Sequence, residues 1–199
     1  PIPIHSDGDA GRYLGSGVTI TRDPETGIRN ESILRTQLTD NPHKAPFWMA
    51  ARHNYQHFLK YKAAGEPMPM AFAIGLHPVY EIMSNWSGLH PDFDELEYAA
   101  GILGETLELV QCETIDLEVP AHAEIVIEGL VHPEEELPEG PFGEFTTLGT
   151  GAEGPAPVFT CTAITHRKNP IFRHMQATWF TDHQPLITLP IEAAYYNRL

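Results

Sequence analysis

A chain of 199 residues with 42% apolar content is long enough for one well-buried core and short for two. Lys and Arg number 12 against 27 Asp and Glu, a formal net charge of -15, which repels a phosphate backbone and argues against nucleic-acid binding. Cys112 and Cys161 both lie inside apolar runs, a usage that fits buried thiols in a reducing, cytoplasmic setting, and no apolar run approaches the ~20 residues of a membrane span.

Gly15 to Thr21 is rich in β-branched residues, Asp23-Pro-Glu-Thr-Gly27 supplies a turn, and Arg29 to Leu38 loosely alternates, so a hairpin is expected. Phe47 to Ala64 carries Trp48, Ala51, Tyr55, Phe58 and Leu59 at helical spacing and is closed by Gly65 and Pro67, which predicts an amphipathic helix. Met70 to Gly75 reads as a strand, Pro78 to Asn85 as a short helix, and Asp94 to Leu103 as a helix whose acidic first turn suits the dipole. Further on, Glu108 to Cys112, Ile115 to Val119, Glu124 to Val131 and Pro157 to His166 are strand-like, with Ile171 to Met175 a further candidate, while Glu134-Glu-Glu136 reads as a solvated loop. The sum is an α+β fold around an antiparallel sheet or barrel, with helices inserted between the early strands. The ends, at Pro1 and just after a helix opening at Leu199, are read as those of an excerpt.

The stretch richest in chemistry is Pro138-Glu-Gly-Pro-Phe-Gly-Glu-Phe145. Its glycines and proline force a compact turn, and Glu139 and Glu144 flank that turn. Two carboxylates within ~4 Å would repel by about 4 kcal/mol at an effective dielectric of ~20, roughly three pKa units, holding one protonated as a general acid. An exposed acidic turn explains the pattern equally well. His53 and His57 have a zinc-like spacing, but Asn54 stands where a metalloprotease carries Glu. His53 lies opposite the Ala51, Tyr55, Phe58 stripe and reads on pattern alone as solvated. Glu95 has an ordinary helix-dipole explanation. Asn30 and Arg35 have opposite strand parity, so the chain must twist, bulge or end between them if both face one site. His5, His77, His90, His122, His132 and His183 read as surface or loop residues. Trp48, Trp86 and Trp179 read as packing, with Trp86 near Ser84 a candidate pocket wall.

Taken together, the Glu-Gly-Pro-Phe-Gly-Glu run, Asp116-Leu-Glu-Val-Pro-Ala121, Ala123 to Gly129, Pro157-Val-Phe159 and Ala163-Ile-Thr-His-Arg167 resemble the signature of the UbiD decarboxylases. Gly8-Asp-Ala-Gly11, Asp23 to Asn30 and Arg52-His53 are similar too. The resemblance implies a split β-barrel of the FMN-binding kind over residues 1–180. Residues 181–199 would open the connection to a C-terminal domain. It implies prenylated FMN with Mn2+ (or Mg2+) and K+ at its phosphate, the metal held by Asn30, His53 and Glu95. Ser32, Ile33, Leu34, Arg35, Arg52 and Ser84 would complete the cofactor contacts. Catalysis would fall on Arg35, Glu139 and Glu144, with Glu144 as proton donor and the flavin as electron sink in the (de)carboxylation of an aromatic or α,β-unsaturated acid. Partners implied are that small-molecule acid, a flavin prenyltransferase supplying the cofactor, and further copies in a homo-oligomer. The alternatives are a flavin-binding module without turnover and a non-catalytic subunit of a multi-subunit carboxylase.

Overall fold

In a computed structural model the described residues are 2–86, 93–144, 149–150, 153–175 and 183–196. Trp179 and His90 lie outside them. The strands are β1 (Tyr13–Leu14), β2 (Val18–Arg22), β3 (Arg29–Ile33), β4 (Thr36–Gln37), β5 (Lys44–Pro46), β6 (Met68–Ile74), β7 (Leu109–Gln111), β8 (Glu118–Pro120), β9 (Ile125–Glu139), β10 (Phe142–Gly143), β11 (Gly149–Thr150) and β12 (Gly154–His166). The helices are α1 (His53–Ala64), α2 (Pro78–Met83), α3 (Glu95–Leu103) and α4 (His183–Tyr196).

Six strands form the main sheet in the order β3-β2-β6-β9-β12-β5, with every neighbouring pair antiparallel. The sheet-rich α+β class holds, but the described residues close no barrel: β3 and β5 stand at opposite edges and do not pair. The long β9–β12 pair shifts register between Pro157 and Phe159 and again between Cys161 and Ala163, and such irregularities bend a sheet. Alternation sends Val18, Ile20, Ala71 and Ala73 into a core with Leu96, Leu117 and Val119. The opposite face buries Met68, Met70, Phe72, Val131 and Phe159 with Phe47 and Phe58.

Four expectations need correction. The helix after the hairpin starts at His53, not Phe47. Its sunken residues are Asn54, His57 and Phe58, whereas Tyr55, Leu59 and Trp48 are exposed, because polar groups on β2 and β3 supply partners for Asn54 and His57. Glu134, Glu135 and Glu136 are no loop: they lie within β9, and Glu136 pairs with Pro157 of β12. Ile171 to Met175 is not a strand. His5, read as a surface or loop residue, lies in a loop with its side chain only 3% exposed. Among the described residues, no helix is long and apolar enough to cross a membrane.

Candidate active site

A cavity of about 700 Å³ opens between the β3 end of the sheet, the residues before α1, and α2 to α4. That volume lies within the range of small-molecule sites. All of the residues expected to contact the cofactor line it: Asn30, Ser32, Ile33, Leu34, Arg35, Arg52, His53, Ser84 and Glu95. Trp86 lines it as well, and so do Ile191 and Tyr195 of α4, the helix that packs on α2.

One end of the cavity is built by the hairpin and two helix starts. The β2–β3 register sets Thr21 opposite Asn30, and the first turn of α1 lies over that pair. His53 Nδ1 is 3.1 Å from Asn30 Oδ1. Asn54 Oδ1 accepts from the Asn30 amide and, at 2.8 Å, from Thr21 Oγ1, while Asn54 Nδ2 donates to Ser32 Oγ at 2.6 Å. The Asn30 amide is thus oriented, with its nitrogen tied to Asn54 and its oxygen turned to His53. Asn54 was missed as a site residue; its signal was a polar residue buried one position after His53. His57 is not beside Asn30 but bonds Thr21 Oγ1 at 2.9 Å, and burial pushes its imidazole down to about 4 against the opposing effect of Asp23.

Glu95 opens α3 under the Asp94 cap, which accepts from the Leu96 and Glu97 N–H groups. Its carboxylate is buried and accepts from the Glu31 backbone N–H at 3.0 Å. The Glu31 carboxyl reaches back to the Leu96 N–H at 3.3 Å. This reciprocal latch, together with the Arg29–Asp94 ion pair of 2.7 Å, ties α3 to β3. Desolvation raises both carboxyls, Glu31 well above the ordinary range.

At the other end β3 stops at Ile33, and the break frees Arg35 from strand parity, as the opposite parities of Asn30 and Arg35 required. Arg35 Nε and an Nη donate to the two oxygens of Glu139 at 3.0 and 2.9 Å, and its other Nη donates to Glu144 at 2.5 Å. The two carboxylates therefore meet a shared cation, so mutual repulsion alone does not set their chemistry. The guanidinium lies 5.4 Å from the Trp48 ring and 5.2 Å from Phe142, so Trp48 is a half-exposed wall of the site and not a packing residue.

The turn carrying Glu144 is held from the N-terminal side. Asp9 accepts from the His5 and Ser6 N–H groups and, at 2.7 Å, from Gly143. Ala10 N–H and Tyr13 OH donate to Pro141 O, and Gln37 accepts from Gly140. Gly140 has φ +90, and a Cβ on Gly143 would sit 2.8 Å from Ser6 Cβ, so both positions require glycine. Asp9 belongs to the Gly8-Asp-Ala-Gly11 run, yet its role as a clamp depends on a contact 134 residues away.

The domain family UbiD, 3-octaprenyl-4-hydroxybenzoate carboxy-lyase Rift-related domain, matches residues 1–191. The chain belongs to the UbiD family. It is 39% identical over 191 residues to an uncharacterised protein of Archaeoglobus fulgidus, covering 92% of this chain and 39% of that protein. It is 42% identical to an uncharacterised protein of Aquifex aeolicus, over 82% of this chain and 34% of that one. An evolved dimeric form of the UbiD-class enzyme HmfF from Pelotomaculum thermopropionicum, in complex with prFMN, superposes with a TM-score of 0.93 at 42% identity, over 99% of this chain and 45% of that one. Apo 3,4-dihydroxybenzoic acid decarboxylase (AroY) of Klebsiella pneumoniae gives 0.87 at 27% identity, over 99% and 42%. The chain thus spans less than half the length of these relatives.

Within this UbiD domain two members of the expected anchor, Asn30 and His53, meet, while among the described residues no three His, Cys, Asp or Glu side chains cluster as a metal site. Adjacent ligands in an octahedron with bonds of ~2.1 Å stand about 3 Å apart, which is the separation of Asn30 Oδ1 and His53 Nδ1, 3.1 Å. Amide oxygen, imidazole and carboxylate are a donor set for manganese or magnesium. A cation there would also offset the buried negative charge of Glu95.

Proposed function

We propose that this domain holds prenylated FMN at the centre of a non-oxidative carboxy-lyase acting on an aromatic or α,β-unsaturated acid. The observation that carries the reading is one cavity lined both by Asn30, His53 and Glu95 and by Arg35 and Glu144, with Glu139 held on the same guanidinium. Bound prenylated FMN would supply the electron sink for the carbanion left by loss of CO2. Asn30, His53 and Glu95 would hold Mn2+ or Mg2+ against its phosphate. K+ would share that end, and Ser32, Ile33, Leu34, Arg52 and Ser84 would line the cofactor's path.

The bonding of the three residues supports the roles proposed for them. Glu139 is 5% exposed and gripped through both oxygens by Arg35, so it fixes the guanidinium. The Glu144 side chain is 33% exposed and lies at the cavity, where it can exchange a proton with a ligand. Arg35 orients the substrate carboxylate and Glu144 delivers the proton to the carbon that loses CO2. The bends in β12 support the split-barrel description. The assignment of residues 1–180 to the cofactor domain, the cytoplasmic location, the prenyltransferase donor and the homo-oligomer belong to the same proposal.

The test is to co-produce the full-length protein with a flavin prenyltransferase, record its visible spectrum and manganese content, and assay CO2 release from a panel of aromatic and unsaturated acids. Flavin retention with release of CO2 is expected. Flavin uptake with no turnover of any acid would favour a binding module, and turnover only on addition of a second polypeptide would favour a subunit role.

A further inference from the structure

Two kinds of group hold the Arg35 guanidinium. Along its edges Glu139 accepts from Nε and one Nη, and Glu144 accepts from the other Nη. The cation also stands over two aromatic rings, with Cζ 5.2 Å from the Phe142 centroid and 5.4 Å from that of Trp48. Phe142 is buried two positions before Glu144, in the same turn, so it travels with the acid. Trp48 comes from another part of the chain. Its N–H donates to the Arg35 carbonyl at 3.3 Å, and the residue before it, the fully buried Phe47, bridges to Thr36. The main chain at 47–48 is thereby pinned to that at 35–36, while Trp48 itself stays 52% exposed.

Core packing therefore does not account for the Trp48 ring, whereas the needs of Arg35 do. Its edge partners are not constant through the proposed reaction: Glu144 carries a proton before it protonates carbon and a negative charge afterwards. The Arg35–Glu144 bond has its full charge-assisted strength only in the second state. In the first, the guanidinium is free to pivot about the edge gripped by Glu139. A ring face attracts a cation in either state of Glu144, and the indole is the strongest of the aromatic partners.

We propose that Trp48 is a positioning residue: its ring keeps the Arg35 guanidinium aimed at the substrate carboxylate while Glu144 changes charge. The inference rests on the decarboxylase reading. Trp48 then acts on what all acids at this site share, the carboxylate, and not on the group that bears it. A ring platform for the substrate would instead favour aromatic acids.

The experiment uses the full-length, cofactor-loaded protein and two variants, Trp48→Phe, which keeps a ring face, and Trp48→Leu, which keeps apolar bulk without one. The probes are benzoate and cinnamate, which carry a ring, and sorbate, which does not. Trp48→Leu is expected to lower kcat/KM about tenfold for each acid turned over, by the same factor with or without a ring, and Trp48→Phe by less than about threefold. Losses confined to the ring-bearing acids would show a substrate platform and overturn the proposal, as would equal kcat/KM in Trp48→Leu and Trp48→Phe. Trp48→Met takes the place of Trp48→Leu should the latter fail to fold. Crystal structures of the variants read the guanidinium directly, whether or not any acid is turned over. An Arg35 that pivots about its Glu139 edge in Trp48→Leu and keeps its place in Trp48→Phe is expected; one unmoved position in both overturns the proposal. A pivoted Arg35 in Trp48→Leu with no turnover by wild type would count against the decarboxylase reading alone.

Discussion

Three hydrogen bonds, two of them buried, converge on the Asn54 amide, and they decide which end of the Asn30 side chain faces His53. Outer partners of this kind typically govern metal affinity by tenfold or more. Asn54→Ala is expected to cost about 2 kcal/mol of stability, because it strands the Thr21, Asn30 and Ser32 groups, and to weaken Mn2+ binding at least tenfold. Chemical denaturation and Mn2+ titration followed by electron paramagnetic resonance check the two effects separately.

His57 makes a pH prediction. Burial lowers its imidazole from 6.5 to about 4, so between those values the unfolded chain binds more protons than the folded one. The stabilisation is complete above pH 6.5 and is lost as pH falls toward 4, by up to ~3 kcal/mol. His57→Gln should flatten that part of the stability curve measured by urea denaturation; an unchanged slope would contradict the assignment. Asn54 and His57 were hard to see in the sequence because they break the apolar stripe of α1. Trp48, Tyr55 and Leu59 suggested a buried face that is in fact exposed, and partner strands, not helical periodicity, decide what α1 buries.

At the scale of elements, strand and helix positions were legible wherever composition and turn residues agreed. The hairpin of β2 and β3, the strand β6, and the helices α2 and α3 follow from β-branched runs, glycine turns and capping acids. The full length of β9 was not legible. Glu134 to Glu136 look like loop residues until β9 runs through them and Glu136 pairs with Pro157 of β12. The turn from Gly140 to Gly143 was recognisable as compact, but its clamp by Asp9 joins distant parts of the chain. Asp9→Ala removes the acceptor for three N–H groups and is expected to destabilise the protein by about 2 kcal/mol. It should also lower kcat at least tenfold while flavin retention is kept, since the turn positions Glu144 and not the anchor. Equal loss of flavin and turnover would show that the segment serves the fold generally.

For the whole molecule, the net charge of -15 makes a site for an anionic cofactor a matter of local cations. Arg35 and Arg52 line the cavity, and a divalent ion between Asn30, His53 and Glu95 would complete the neutralisation. Removal of divalent metal by chelation should therefore release flavin from the full-length protein, with Glu95→Gln showing the same loss without a chelator, measured by flavin absorbance after gel filtration. The two ends of the cavity are held by different elements, the anchor by β3, α1 and α3, the acid pair by the ends of β9 and β10. Changes at one end should leave the other intact.

That separation gives the most direct test: the rate of CO2 release by Glu144→Gln in full-length protein, at flavin occupancy matched to wild type. The account predicts undiminished flavin retention with turnover reduced at least a hundredfold, the scale of a lost proton-transfer group. Turnover equal to wild type would remove Glu144 as the proton donor and contradict the account.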